Sequence, residues 1–234
     1  MCKLLTLLSC LLVLLQANTS FAESNHYQQF PETAEGTGKV FMGREIAHVM
    51  GYQGAGWLER ESREKEERTD LLIQLLQLKK GMAIADIGAG TGYLSRRMSE
   101  KVGANGVIYA VDVQPEMMGK IKLLAKKHIN IQPVLSQVAD VKLPDNSFDM
   151  AIMVDVYHEL EYPFETVRSL LRALKPEAQL ILVEYRAEDD KVKIKERHKM
   201  SEMQIIKELT SHPLKWQKTI HSLPLQHIVI FTKQ

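Results

Sequence analysis

Residues 83–98 read AIADIGAGTGYLSRRM. An apolar run from Ala83 to Ile87 enters a bend carrying Gly88, Gly90 and Gly92, and a helical pattern with Leu94 and Met98 on one face follows. A short buried run, a glycine bend and a helix in that order form the strand–turn–helix unit of an open α/β sheet. Glycines in the bend let the backbone approach a ligand closely and take dihedral angles that a side chain resists. The spacing is G-x-G-x-G, not the G-x-G-x-x-G of dinucleotide sites, and Asp86 stands two residues before the first glycine. A helix N-terminus that is to face pyrophosphate is spoiled by a nearby carboxylate. The ammonium of an aminoacyl group is a better neighbour for Asp86.

Further short apolar runs occur at Val107–Val111, Ile131–Leu135, Phe148–Val154 and Leu180–Tyr185. Helical patterns separate them: Leu94, Met98 and Val102; Met117, Ile121, Leu124 and His128; Phe164, Val167, Leu171 and Leu174. Strand and helix alternating in this way predict a Rossmann-like, doubly wound α/β sheet covered on both faces. After Tyr185 a helix is expected around Ser201–Leu209, then two strands at Lys215–Ile220 and His227–Thr232, a hairpin on one sheet edge. The second run ends at Asp112, 22 residues beyond Gly90. A carboxylate at that strand tip accepts both ribose hydroxyls of an adenosine ligand, a geometry that nicotinamide and adenosyl cofactors share. The alternative for Asp112 is a helix cap before Gln114-Pro115.

Four segments in order, ADIGAGTG, YAVDVQPEM, LPDNSFDMAIMVDVYHEL and LLRALKPEAQLILVEY, resemble the motif series of class I S-adenosylmethionine-dependent methyltransferases. The branch most similar is that of ubiquinone and menaquinone biosynthesis enzymes, and the likeness covers about residues 71–185. The resemblance implies a seven-stranded, mostly parallel sheet with a final antiparallel hairpin, and S-adenosylmethionine as cofactor. It further implies that Asp86 and the Gly88, Gly90 and Gly92 loop hold the methionine part, Asp112 the ribose, and Asp155 the methionine end. Where the family has Gly-Asp past the third strand this chain has Ser136-Gln137, so Asp140 is the adenine-side candidate, with an ordinary loop acid as the other reading.

Strand four runs into Asp155-Val156-Tyr157-His158-Glu159 at the carboxyl edge of the sheet, where open α/β folds bind ligands. Methyl transfer is an in-line displacement, so the protein has to align the acceptor and remove its proton. His158 and Glu159 are the base candidates, against the alternative that His158 packs under the next helix. No metal is expected, because Asp155 and Glu159 are too few hard oxygen ligands. Tyr52, Trp57, Arg60, Arg63, Arg186, His198 and Lys199 are available to roof the pocket and favour a small-molecule acceptor.

Residues 1–22 have a positive head, an apolar stretch from Leu4 to Leu15 and small residues at Ser20-Phe21-Ala22, the layout of a secretory signal peptide. About 12 apolar residues are too few to cross a bilayer, so no lasting membrane anchor is expected and the protein reads as periplasmic or secreted. A misassigned start would leave it cytoplasmic. Both cysteines, Cys2 and Cys10, fall in that segment. With Lys3 set aside, the 30 basic and 29 acidic residues balance, which disfavours nucleic-acid binding. Residues 23–56 are expected to be a flexible, helical extension, with a short helix at 44–50, and 57–234 the catalytic domain. The charge run ERESREKEER, 59–68, reads as a solvated helix face that continues into Leu71, Leu72, Leu75 and Leu76. The competing functions are an NAD(P)-dependent oxidoreductase and a noncatalytic cofactor-binding or interaction module.

Overall fold

In the computed structural model, which describes residues 26–234, seven strands form one sheet and three more form a small antiparallel sheet before it in the chain. The expected export signal lies outside the described residues. The small sheet comprises β1 (Tyr27–Gln29), β2 (Gly36–Phe41) and β3 (Arg44–Ala47). It replaces the helix expected at 44–50, and residues 27–47 of the flexible, helical extension expected over 23–56 carry strands instead. Phe41, Ile46 and Ala47 are buried, so the segment has a core to fold against. Met42 and Gly43 both have positive φ (48° and 92°), the combination that matches the twist of a two-residue hairpin, and Phe41 pairs with Arg44 across it. Arg44 then donates to both oxygens of the buried Glu208, at 2.7 and 2.9 Å, tying the small sheet to the main domain.

Three short helices follow: α1 (Ala55–Leu58), α2 (Arg63–Glu67) and α3 (Thr69–Leu75). The continuous helix expected from Glu59 is broken at Arg68, whose φ of 53° is left-handed. Nor are all of its charges solvated. Arg63 and Glu67 are buried and paired at 2.8 Å, and the Tyr185 hydroxyl donates to Glu67 at 2.9 Å. Leu72, Ile73 and Leu76 supply the buried stripe on α3.

The alternation then runs β4 (Ala83–Ile87), α4 (Tyr93–Val102), β5 (Val107–Asp112), α5 (Pro115–Ala125), β6 (Ile131–Leu135), β7 (Phe148–Val154), α6 (Pro163–Ala173) and β8 (Leu174–Tyr185). It closes with α7 (Glu202–Leu209), β9 (Leu214–Ile220) and β10 (Gln226–Lys233). Strand order in the large sheet is β6-β5-β4-β7-β8-β10-β9; β4 to β8 are parallel, and β10 lies antiparallel between β8 and β9. The expected edge hairpin is thus present, with its second strand inside. Alternation along β4 divides the core: Ile84 packs with Leu94, Met98 and Ile121 from α4 and α5, whereas Ala85 and Ile87 join the cluster of Val167, Leu170 and Ile205 from α6 and α7. After β4 the chain turns one way to β5 and β6, then returns to place β7 on the other side of β4. That reversal opens a crevice beyond the carboxyl ends of β4, β5 and β7. Among the described residues no helix is long and apolar enough to cross a membrane.

Candidate active site

The crevice is a cavity of about 540 Å³, in the size range of small-molecule sites. Its floor is the glycine bend, and Gly88, Gly90 and Asp112 line it. Gly90 has φ of 57°, and a Cβ there would come within 2.6 Å of Leu58 Cδ1; at Gly88 a Cβ would meet Val156 Cγ2 at 2.5 Å. The bend therefore excludes side chains both by its dihedrals and by the residues above it. Gly92 precedes α4 and does not line the cavity.

Asp112 organises the bend. One carboxylate oxygen accepts the Gly90 N–H at 2.8 Å and the other the Gln114 N–H at 2.9 Å. It thus joins the ends of β4 and β5 while still facing the cavity, and burial raises its pKa despite those bonds. The capping alternative and the ligand role are compatible, since each carboxylate oxygen carries a further lone pair.

Asp86 is buried behind the bend and accepts the Ser95 hydroxyl at 2.5 Å. It borders a small cleft shared with Arg63, Gly88 and Leu58, next to the main cavity and not in its wall. Burial lifts its pKa to about 6, against the Ser95 hydrogen bond and helped by Asp112. Because the folded-state pKa lies above the ordinary 3.8, the folded chain binds this proton more tightly, and stability falls as pH rises from about 4 to 6. Asp86→Asn removes that loss. Its stability relative to the parent chain is expected to improve by on the order of 2 kcal/mol between pH 4 and pH 7, read from urea midpoints of ligand-free protein. An equal difference at both pH values overturns the expectation.

Asp155 ends β7 with φ of 54° and lines the cavity. Gln226 donates to one of its oxygens at 2.7 Å; the other is buried with no hydrogen-bond partner among the described residues. Burial first, then Glu67 and Glu184, raises its pKa well above the ordinary value. Asp140 is a correction. It does not line the cavity, and its carboxylate is taken by the Ser169 hydroxyl at 2.8 Å and by Lys142. Ser136, Gln137 and Val138 wall that end instead.

Beyond Asp155, His158 and Glu159 sit on a single 3-10 turn after β7, and His198 approaches from the segment after β8. His158 Nδ1 lies 2.6 Å from Glu184 Oε2 on β8, and its Nε2 lies 3.2 Å from His198 Nδ1. Glu159 Oε1 is 3.3 Å from His198 Nδ1 and 3.7 Å from His158 Nε2. Burial pushes the His158 pKa down, but Glu184 and Glu159 outweigh it and hold the ring protonated, at about 10. For Glu159 burial is outweighed by His158 and His198, and its pKa drops to about 2. The turn therefore carries a charged pair at neutral pH, with His158 buried and Glu159 half-buried.

Residues 85–182, which carry the bend, Asp112 and this turn, match the methyltransferase domain family. The likeness to that family covers less than half of the chain. The ubiquinone/menaquinone biosynthesis C-methyltransferase of Pseudomonas paraeruginosa is 33% identical over 116 residues, 48% of this chain and 45% of that protein. The enzyme of the same name from Ectopseudomonas mendocina is 31% identical over the same shares. The chain thus spans less than half the length of those relatives. A SAM-dependent methyltransferase from Aquifex aeolicus shares the fold at a TM-score of 0.75 with 24% identity, covering 80% of this chain and 100% of that one.

Of the expected roof, Trp57, Arg63 and His198 line the cavity. Arg60 stacks on Trp57 at 3.8 Å, Arg186 caps the carbonyls of Leu223, Pro224 and Gln226, Lys199 pairs with Glu196, and Tyr52 lies outside. Glu184 was not foreseen. Its signal is an acid inside LILVEY, a run otherwise apolar or aromatic and wholly buried, where a carboxylate needs a partner.

Proposed function

We propose that this protein moves the methyl group of S-adenosylmethionine to an oxygen, nitrogen or carbon of a small molecule held in the cavity. The observation that carries the reading is Asp112, fastened to the Gly90 and Gln114 amides and open to the cavity at the end of the second parallel strand. Its free lone pairs suit the two ribose hydroxyls. Asp155, with one unpartnered buried oxygen, and Asp86 behind the bend suit the aminoacyl ammonium. Ser136, Gln137 and Met117 border the adenine end. When bound, the cofactor supplies an electrophilic methyl on a cationic sulfur. The protein holds the acceptor in line with it and excludes water, which lowers the barrier by meeting the entropy cost of alignment before the reaction. Glu159, on the cavity wall, accepts a hydrogen bond from the acceptor's O–H or N–H, and His158 fixes its orientation.

A cavity of this size, walled by Val49, Met50, Trp57, Leu58, Val138 and Val156, favours a compact, partly apolar acceptor over a polymer. The layout of residues 1–22 supports export, with a cut after Ala22. One purification tests both parts. Mass spectrometry of the native protein is expected to show a mature chain starting at Glu23 and a co-purified adenosyl ligand, and calorimetry a saturable 1:1 response to S-adenosylhomocysteine with none to NAD(H). An intact Met1 overturns export. Binding of NAD(H) without S-adenosylhomocysteine overturns the reaction, and cofactor binding without turnover across an acceptor panel favours a noncatalytic module.

A further inference from the structure

His158, Glu159 and His198 are the group among the described residues whose ligand atoms converge, within 4.8 Å of one another. The three separations, 3.2, 3.3 and 3.7 Å, can be tested against what an ion requires. A tetrahedral zinc-type ion bound at 2.0–2.1 Å sets its ligand atoms about 3.3 Å apart. The two imidazole nitrogens and the carboxylate oxygen already stand within about 0.4 Å of that spacing. We propose that these three side chains bind a divalent transition-metal ion at the acceptor end of the cavity.

The donor set selects the class of ion. Magnesium and calcium take oxygen ligands, whereas two imidazoles with one carboxylate suit zinc, iron(II) or cobalt(II). Three protein ligands leave a coordination position open, as catalytic rather than structural sites do. Surroundings agree. His158 presents Nε2 to the cluster because its Nδ1 is engaged by Glu184 at 2.6 Å, the carboxylate–histidine arrangement that orients metal-bound imidazoles. Glu184 is itself fixed by the Tyr157 amide at 2.8 Å, and it and Glu159 supply two negative charges against the ion's two positive ones. All three ligand residues line the cavity, so the open position faces it. Binding of the ion displaces the proton on His158 Nε2 to solvent. That the open position meets the acceptor, through a hydroxyl or enol oxygen whose proton the ion makes easier to remove, rests on the methyl-transfer reading above.

Chelator-treated protein is titrated with Co²⁺, followed by visible absorption, and the Co²⁺ is then displaced with Zn²⁺. One equivalent per chain is expected, with the intense bands of a low-coordinate site. His198→Ala and Glu159→Gln, both at partly exposed positions, are expected to weaken Zn²⁺ binding at least about tenfold while circular dichroism stays unchanged. His221→Ala, at an exposed histidine elsewhere, is expected to change nothing. Absence of saturable Co²⁺ or Zn²⁺ binding, or equal binding in parent chain and both cluster variants, overturns the site. S-Adenosylhomocysteine affinity is measured on the same samples. Its retention without metal binding sinks the metal site alone, and its absence with metal binding intact sinks the cofactor reading alone.

Discussion

Asp112→Ala is expected to lower affinity for S-adenosylhomocysteine about 100-fold or more, the largest effect of any single side chain at the cofactor end. Two backbone N–H groups, of Gly90 and Gln114, donate to this carboxylate at 2.8 and 2.9 Å. Hydrogen bonds to a charged group are worth about 1.5–3 kcal/mol each, and buried amides left without an acceptor forfeit that. Gly90 has a positive φ and packs under Leu58, so the bend released from Asp112 loses the register that opens it to a nucleoside. The ribose loses its acceptor in the same step. Asp112→Asn separates the two losses only in part, because its amide NH₂ must face one of the two backbone donors. It is expected to bind nearly as poorly. Calorimetry at fixed salt measures the affinity, and an undiminished value in a folded Asp112→Ala protein removes the basis for placing the cofactor at this bend.

How far the sequence carried follows from the length scale of each interaction. Strands β4, β5, β7 and the second half of β8 were legible because each is a mainly apolar run beside a helical pattern, the composition that burial on both faces of a parallel sheet favours; β6, at the sheet edge, keeps only part of it. The place of Gly88, Gly90 and Asp112 on the cavity wall was legible because the strand–bend–strand geometry fixes them within 25 residues, from 88 to 112. The small N-terminal sheet was not, since β1 and β3 have three and four residues, too few for alternation to show. What brings Glu184 to His158 is the pairing of β7 with β8, Val154 opposite Val183, a register that becomes visible only once the sheet is built. His198 reaches the same place from a loop without any period. Asp140 departs from the expectation for a local reason: Ser169 and Lys142 answer its charge, so an acid at the right distance past β6 does not line the cavity. The pattern of successes and failures thus separates backbone periodicity from tertiary pairing.

The charge run at 59–68 gives that separation an energetic test. Glu67→Ala is expected to destabilise the protein by about 3–5 kcal/mol, where a solvated helix position costs a few tenths. Glu67 is 1% exposed, and both of its oxygens are occupied: one by Tyr185 and Arg60, at 2.9 and 2.5 Å, the other by Arg63 at 2.8 Å. Removing it leaves the Arg63 guanidinium buried with the Leu58 carbonyl and the Tyr93 ring for company, and no anion on its Nε. Part of the loss is recoverable, because Asp86 shares a cleft with Arg63 and can answer its charge. The cofactor site then bears the consequence. Glu67→Ala protein is expected to melt roughly 10 °C lower and to bind S-adenosylhomocysteine more weakly, through Asp86 drawn toward Arg63. Glu67→Gln, which keeps an acceptor and the side chain's shape, is expected to lose about half as much stability. Urea and thermal unfolding measure both variants. If Glu67→Ala comes within 1 kcal/mol of the parent chain, the run is the solvated face that its sequence suggests, and Arg63 is not held by it.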